Sequence, residues 1–81
     1  MTINQSMHLA SQHHRAGRYA EAEMLCRQVL AQAPDHVDAL HLLGVLAGQS
    51  GHTDDAINLL GRAVRLRPGF EAFSNLGVAF V

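Results

Sequence analysis

The sequence predicts an all-α fold in which antiparallel helices pair and the pairs stack in a row, an alpha-alpha superhelix or solenoid. Three observations predict it. The chain repeats at an offset of 34 residues, glycine and proline recur at fixed places, and the apolar residues between them follow helical spacing. A fixed period in this range is typical of stacked helical units. Identical residues at this offset include Leu9 and Leu43, Gly17 and Gly51, Ala22 and Ala56, Leu25 and Leu59, and Pro34 and Pro68.

Glycine and proline mark where the helices end. Gly17 and Gly51 each follow an apolar-periodic stretch and supply the left-handed residue that commonly closes a helix. Pro34 and Pro68 stop the second helix of each pair, because proline lacks the amide hydrogen that a helix needs. Thr53 precedes two aspartates, and we expect its hydroxyl to cap a helix N-terminus. We predict five antiparallel helices, at about 4–16, 19–32, 37–49, 53–66 and 70–80.

The length accommodates a single domain, residues 1–81, of about two and a half repeats. Repeat 1 covers about 3–36, repeat 2 about 37–70, and a partial repeat 3 about 71–81. Apolar residues make up 48% of the chain, which is typical of a globular protein. Six arginines, no lysine and seven acids leave a formal net charge of −1. Nucleic acids and anionic membranes attract a concentrated positive field, so we expect neither as a partner.

The sequence carries none of the usual signals for export or membrane insertion. The single Cys26 cannot form an internal disulfide, and the N-terminus lacks a basic region followed by an apolar run. No stretch approaches the roughly eighteen consecutive apolar residues of a membrane-spanning helix. We therefore expect a cytoplasmic protein.

The residues that could carry chemistry lack the spacing for it. The six histidines include no pair four residues apart on one helix, and no pair of cysteines accompanies them. Cys26 occupies an apolar packing position, where cysteine behaves as a small hydrophobic residue. We expect no catalytic residue, no cofactor and no metal site, so the chain by itself is not expected to be an enzyme. The histidines are His8, His13, His14, His36, His41 and His52.

These features resemble the tetratricopeptide repeat family, whose repeats carry Trp-x2-Leu-Gly-x2-Tyr, then Ala-x3-Phe, then Pro. Ser6 and His13 stand where repeat 1 would carry aromatic residues, so this repeat departs most from the pattern. We expect the small residues Ala10, Gly44 and Gly77 to let the first helix of each repeat approach its neighbour. The matching positions are Leu9, Ala10, Ala22, Cys26 and Pro34, then Leu40, Leu43, Gly44, Ala47, Ala56, Leu60 and Pro68, then Phe73, Leu76, Gly77 and Phe80.

The resemblance implies that the first helix of each repeat lines a concave groove that receives an extended peptide or a partner helix. Some family members hold a C-terminal carboxylate there with Lys, Arg and Asn, but Arg15 is the only cation at these positions here. The asparagine ladder of protein O-glycosyltransferase repeat arms is not supported either, because only Asn75 matches it. The alternative for any single groove candidate is that it merely faces solvent and does not contact a ligand. The groove candidates are Met7, Ser11, His14, Arg15, Asp38, His41, Val45, Gln49, Ser74 and Val78.

The predicted last helix has an apolar face that no second helix covers. Phe73, Leu76 and Phe80 lie on this face. Burying one such side chain contributes roughly 1.5–3 kcal/mol, which favours association with a partner. Either the chain is a fragment of a longer array, or it self-associates through this helix, and we expect a homo-oligomer for the isolated chain.

These observations favour a protein–protein interaction scaffold that binds a peptide segment or another protein, including a second copy of itself. The alternative is an N-terminal, substrate-targeting repeat arm of a larger enzyme such as a protein glycosyltransferase or sulfotransferase. A third hypothesis is an assembly element that polymerises end to end. The residues that build a repeat do not determine which ligand it binds, so the repeat pattern does not name the partner.

Overall fold

The computed structural model describes residues 1–67, which form four α-helices and no strand. The first four predicted helices are confirmed, each with bounds within one residue of those expected. The predicted fifth helix at 70–80 lies outside the described residues, so the structure shows four helices rather than five. The helices are α1 (Ile3–Arg15), α2 (Tyr19–Gln32), α3 (Val37–Gln49) and α4 (Thr53–Leu66).

The turn inside each helix pair has the same hydrogen bonds in both repeats. Gly17 has φ +79°, and Gly51 has φ +84°, which confirms the left-handed residue expected at each position. In the first turn, the Arg18 amide donates to the His13 carbonyl at 2.8 Å, and the Gly17 amide donates to the His14 carbonyl at 3.1 Å. This pair of bonds is a Schellman motif, which satisfies carbonyls at the helix end. The second turn has the equivalent bonds, His52 to Ala47 at 2.8 Å and Gly51 to Gly48 at 3.2 Å.

The prolines act one residue before their own positions. α2 ends at Gln32, and Ala33, which precedes Pro34, has φ −137° and ψ 84°. A proline ring clashes with a helical conformation at the preceding residue and drives that residue out of the helical region. Arg67, which precedes Pro68 in the sequence, has nearly the same angles, φ −140° and ψ 80°. The two second helices therefore end in the same way.

The cap of α4 differs from the prediction. The capping residue is His52, Thr53 is the first helical residue, and no side chain caps this helix. The reason lies in the turn, because the His52 amide also closes the end of α3. The same residue ends one helix and begins the next, so Thr53 comes one position too late to cap.

α1 begins with a reciprocal cap that the sequence reasoning missed. The Gln5 amide donates to Thr2 Oγ1 at 3.1 Å, and the Thr2 amide donates to Gln5 Oε1 at 2.8 Å. This is a capping box, and its pattern of threonine followed three residues later by glutamine is visible in the sequence. Such a cap satisfies two amide groups that the helix leaves without partners.

The larger buried cluster joins the two repeats. Ala10, Ala22 and Cys26 of repeat 1 pack with Leu43 and Leu46 of α3. Because residues of three helices share this cluster, repeat 1 is stabilised by its contact with repeat 2 as well as by its own pairing.

A second cluster lies between α3 and α4. Leu40, Leu60 and Ala63 form it, and Leu59 packs against both clusters. A Cβ atom built on Gly44 would lie 2.8 Å from Leu60 Cγ and 2.9 Å from Leu60 Cδ2. The close approach expected at Gly44 is therefore confirmed, and α4 contacts α3 at a distance that leaves no room for a side chain there.

The four helices form a curved stack. Within residues 1–67, α1 contacts α3, whereas α2 and α4 do not contact each other. The first helices of the two repeats therefore lie on the inner, concave side, and the second helices diverge on the outer side. We call the surface of α1 and α3 that turns away from α2 and α4 the inner face.

Candidate functional site

The inner face joins the two repeats through a pair of predicted groove residues. His14 Nε2 lies 2.9 Å from Gln49 Oε1, although 35 positions separate the two residues in the chain. Because an amide oxygen only accepts hydrogen bonds, the imidazole nitrogen is the donor. The contact brings the C-terminal ends of α1 and α3 together.

An aromatic ring adjoins this pair. The Tyr19 ring centroid lies 5.7 Å from that of His14, with the rings tilted by 47°. Tyr19 was not among the predicted site residues. It begins α2, directly after the turn that follows α1, so it lies at the same end of the stack as His14. The position of Tyr19 two residues after Gly17 was the signal that could have found it.

The other groove candidates on α1 combine apolar and polar groups. Met7 and Ser11 are half-buried, and Arg15 is exposed in the last turn of the helix. Arg15 is the only arginine on α1, which has no acidic residue in Ile3–Arg15. A ligand on this part of the inner face would therefore meet hydroxyl and imidazole groups beside a single full positive charge.

The candidates on α3 include the only acid of that helix. His41 is half-buried, and Asp38 is exposed in the first turn. Val45 is also half-buried, and it packs against the buried cluster between α3 and α4. Arg67 Nη1 lies 4.0 Å from Asp38 Oδ1, with both side chains more than half exposed. An ion pair this exposed contributes little to stability, but it places a cation beside the inner face that the sequence reasoning did not include.

Some predicted residues lie beyond the described part of the chain. The groove candidates Ser74 and Val78 and the self-association candidates Phe73, Leu76 and Phe80 lie outside residues 1–67. Their roles, and the homo-oligomer expected from them, stay predictions. The eight groove candidates within the described part all lie on α1 and α3.

Cys26 lies in the core rather than in a site. Its side chain is fully buried, and burial, followed by the nearby Glu23 carboxylate, raises the pKa of the thiol from 9.0 to about 11. A thiol with a raised pKa is a poor nucleophile at neutral pH, because the thiolate is the reactive form. Residues 1–67 contain no group of three His, Cys, Asp or Glu side chains that could hold a metal ion.

Two stacked helix pairs with a concave inner face define the class of helical-repeat, or solenoid, proteins. The model of the tetratricopeptide repeat family matches residues 2–68, and the chain belongs to that family. None of the described helices is both long and apolar enough to cross a membrane.

One solved structure that is similar to the chain is a mutant O-GlcNAc transferase from Thermobaculum terrenum. The sequence identity is 40% and the TM-score is 0.94. The match covers 96% of this chain and 15% of that chain, so the similarity concerns a small part of the transferase. No curated protein sequence matches the chain.

Proposed function

We propose that the chain is a protein-interaction module whose inner face binds an extended peptide segment of a partner protein. The observation that carries this proposal is the arrangement of α1 and α3 side by side on the concave side of the stack. Half-buried Met7 and Ser11 offer apolar and hydroxyl contacts, and His14 and Gln49 form one polar cluster across the two repeats. An extended peptide needs both kinds of contact, because its backbone must be hydrogen-bonded while its side chains are buried.

The test is a phage-displayed peptide library selected against the whole chain, followed by fluorescence polarisation with the best peptide. We expect the double variant Arg15→Ala, His41→Ala to bind the peptide at least about fivefold more weakly, because it loses polar contacts of about 1 kcal/mol. The matched control is Arg65→Ala, an exposed arginine on α4, which should bind like the wild type. Equal binding by all three proteins would remove the inner face as the site and leave the family assignment intact.

A second proposal is that the chain is the substrate-targeting arm of a larger enzyme. The observation that favours it is the similarity to the Thermobaculum terrenum O-GlcNAc transferase, over almost the whole of this chain and a small share of that one. In such an enzyme the inner face would hold the protein substrate while a separate catalytic domain performs the transfer.

The coding sequence on both sides of residues 1–81 tests this second proposal. We expect it to encode a transferase domain in the same reading frame. The double inner-face variant of that full chain should then lose glycosylation of a protein substrate while retaining transfer to a short peptide. A flanking sequence without a transferase domain would reject the proposal.

A further inference from the structure

The outer side of the stack contains a cleft that is separate from the inner face. Because α2 and α4 do not contact each other within residues 1–67, the space between them is open down to α3. This space has a volume of about 390 Å³, within the range of about 300–1,000 Å³ typical of ligand pockets. We call it the outer cleft, and it lies between walls from α2 and α4 above a floor from α3.

The floor of the outer cleft is apolar and already packed. Leu43 and Ala47 of α3 form it, and Leu59 at the base of the α4 wall adjoins it. Leu43 belongs to the buried cluster that joins the repeats, and Leu59 packs against that cluster. A ligand on this floor covers apolar surface without displacing any side chain, which lowers the cost of binding.

The two walls carry carboxylates with different surroundings. On the α2 wall, Arg27 Nε donates to Glu23 Oε2 at 3.0 Å, so the charge of this carboxylate is balanced. On the α4 wall, Asp55 has no arginine or histidine nitrogen within 4.0 Å among the described residues. The outer cleft therefore combines an apolar floor with a negative charge on one wall only.

The position of Asp55 in the first turn of α4 has a separate effect, since acids there stabilise the positive end of the helix dipole. Asp54 has the same effect from the neighbouring position, but it does not line the outer cleft. The two residues are therefore a matched pair, alike in charge, exposure and helix position, and different in whether they line the outer cleft.

We propose that the outer cleft is a second protein-binding site, and that its ligand is a peptide segment with an apolar side chain next to an arginine or lysine. The apolar side chain lies on Leu43, Ala47 and Leu59, and the cation of the neighbouring residue meets the Asp55 carboxylate. An acidic segment is disfavoured, because its charge would repel Asp55 and find Arg27 already paired with Glu23. The site is independent of the inner face, so the module binds two segments at once.

The test uses two six-residue probe peptides, acetyl-Gly-Ser-Leu-Arg-Ser-Gly-amide and the same peptide with Glu in place of Arg, titrated into the isotopically labelled full chain. We expect the arginine peptide to move the amide NMR signals of the residues that line the outer cleft. Binding should be weak, with a dissociation constant in the millimolar range, which corresponds to a binding free energy of about −4 kcal/mol. The signals of Met7, Ser11 and His14 on the inner face should stay in place.

Two variants then assign the contact. We expect Asp55→Asn to weaken binding of the arginine peptide about threefold to fivefold, and Asp54→Asn to leave it unchanged. Equal shifts with both peptides, no shift with the arginine peptide, shifts centred on the inner face, or equal losses in the two variants would each overturn the proposal. Peptide binding by the inner face is tested separately, with the Arg15→Ala, His41→Ala variant.

Discussion

Repeat 1 and repeat 2 have the same helix pairing but different cores. Ser6 and Cys26 of repeat 1 are 8% and 0% exposed, and the equivalent residues of repeat 2, Leu40 and Leu60, are 0% and 2% exposed. Small side chains thus occupy in repeat 1 the positions that large apolar side chains fill in repeat 2. The comparison teaches that the turns and small residues are enough to shape a repeat, whereas most apolar burial, and the stability it contributes, belongs to repeat 2.

The largest expected effect comes from removing a large side chain from repeat 2. We expect Leu40→Ala to lower the free energy of unfolding by about 2–5 kcal/mol, because it loses buried surface and leaves a cavity. The equivalent change in repeat 1, Ser6→Ala, should cost less than about 1 kcal/mol. Urea denaturation followed by circular dichroism measures both, and equal losses would show that the two repeats contribute alike.

The second effect tests the close approach of α3 and α4. We expect Gly44→Ala to destabilise the chain by about 1–3 kcal/mol, because the new methyl group would lie against the buried Leu60 side chain. The control is Gly48→Ala in the same helix, where the added atom would lie 3.7 Å from the Ala56 Cβ, an ordinary contact distance.

Gly48→Ala should instead stabilise the chain by up to about 1 kcal/mol, since alanine favours a helix more than glycine does. Thermal denaturation of the two variants should therefore give changes of opposite sign. A stabilising Gly44→Ala would mean that the helices separate easily and that repeat 2 is less tightly packed than repeat 1.

The third effect uses a titratable group that repeat 1 has in its core and repeat 2 lacks. The pKa of Cys26 is raised from 9.0 to about 11, so the folded chain holds the thiol proton more tightly than the unfolded chain. This contribution is complete below pH 9.0 and is lost as the pH rises towards 11. We expect the free energy of unfolding to fall by up to about 2 kcal/mol over this window.

Cys26→Ala supplies the control, because it removes the thiol and leaves every other group of the chain unchanged. The difference in unfolding free energy between wild type and variant, measured from pH 8 to 11, should decline with pH, and a flat difference would contradict the prediction. Amide hydrogen exchange over the same range should show α2 loosening before α4.

The smallest expected effect concerns the contact between the repeats on the inner face. A double-mutant cycle with His14→Ala and Gln49→Ala should give a coupling energy of about 0.5 kcal/mol, since the hydrogen bond is exposed to solvent. A control cycle with His14→Ala and Gln28→Ala should give no coupling, because Gln28 lies exposed on α2 with no hydrogen bond to His14. Zero coupling in both cycles would mean that the core alone joins the repeats.

The local features of the fold were predictable, because each depends on residues close together in the chain. Gly17, Gly51 and Pro34 place the helix ends within one residue, since a left-handed glycine acts at its own position and a proline acts on the residue directly before it. The capping box of Thr2 and Gln5 was equally predictable, since a threonine followed three residues later by a glutamine is its sequence pattern. The position of His52 as the capping residue of α4 was not predicted, because His52 also takes part in the preceding turn, and this moves the cap from Thr53 to His52.

The site was less predictable, since it depends on how one repeat lies against the next. The period indicates which face His14 and Gln49 share, but their 2.9 Å contact requires the rotation of α3 relative to α1. The outer cleft is harder still to predict. It exists because α3 packs against both α2 and α4 while these two helices do not contact each other, and no pattern on the cleft walls indicates that arrangement.

The two Schellman turns have an evolutionary consequence. Each turn bonds only atoms of its own repeat, and the same geometry recurs with different residues around it, His13 and Arg18 in one case and Ala47 and His52 in the other. A 34-residue unit can therefore be duplicated in the gene without new changes elsewhere. Each added copy lengthens the inner face by one helix and creates one more cleft on the outside, so binding surface can grow in steps of constant size.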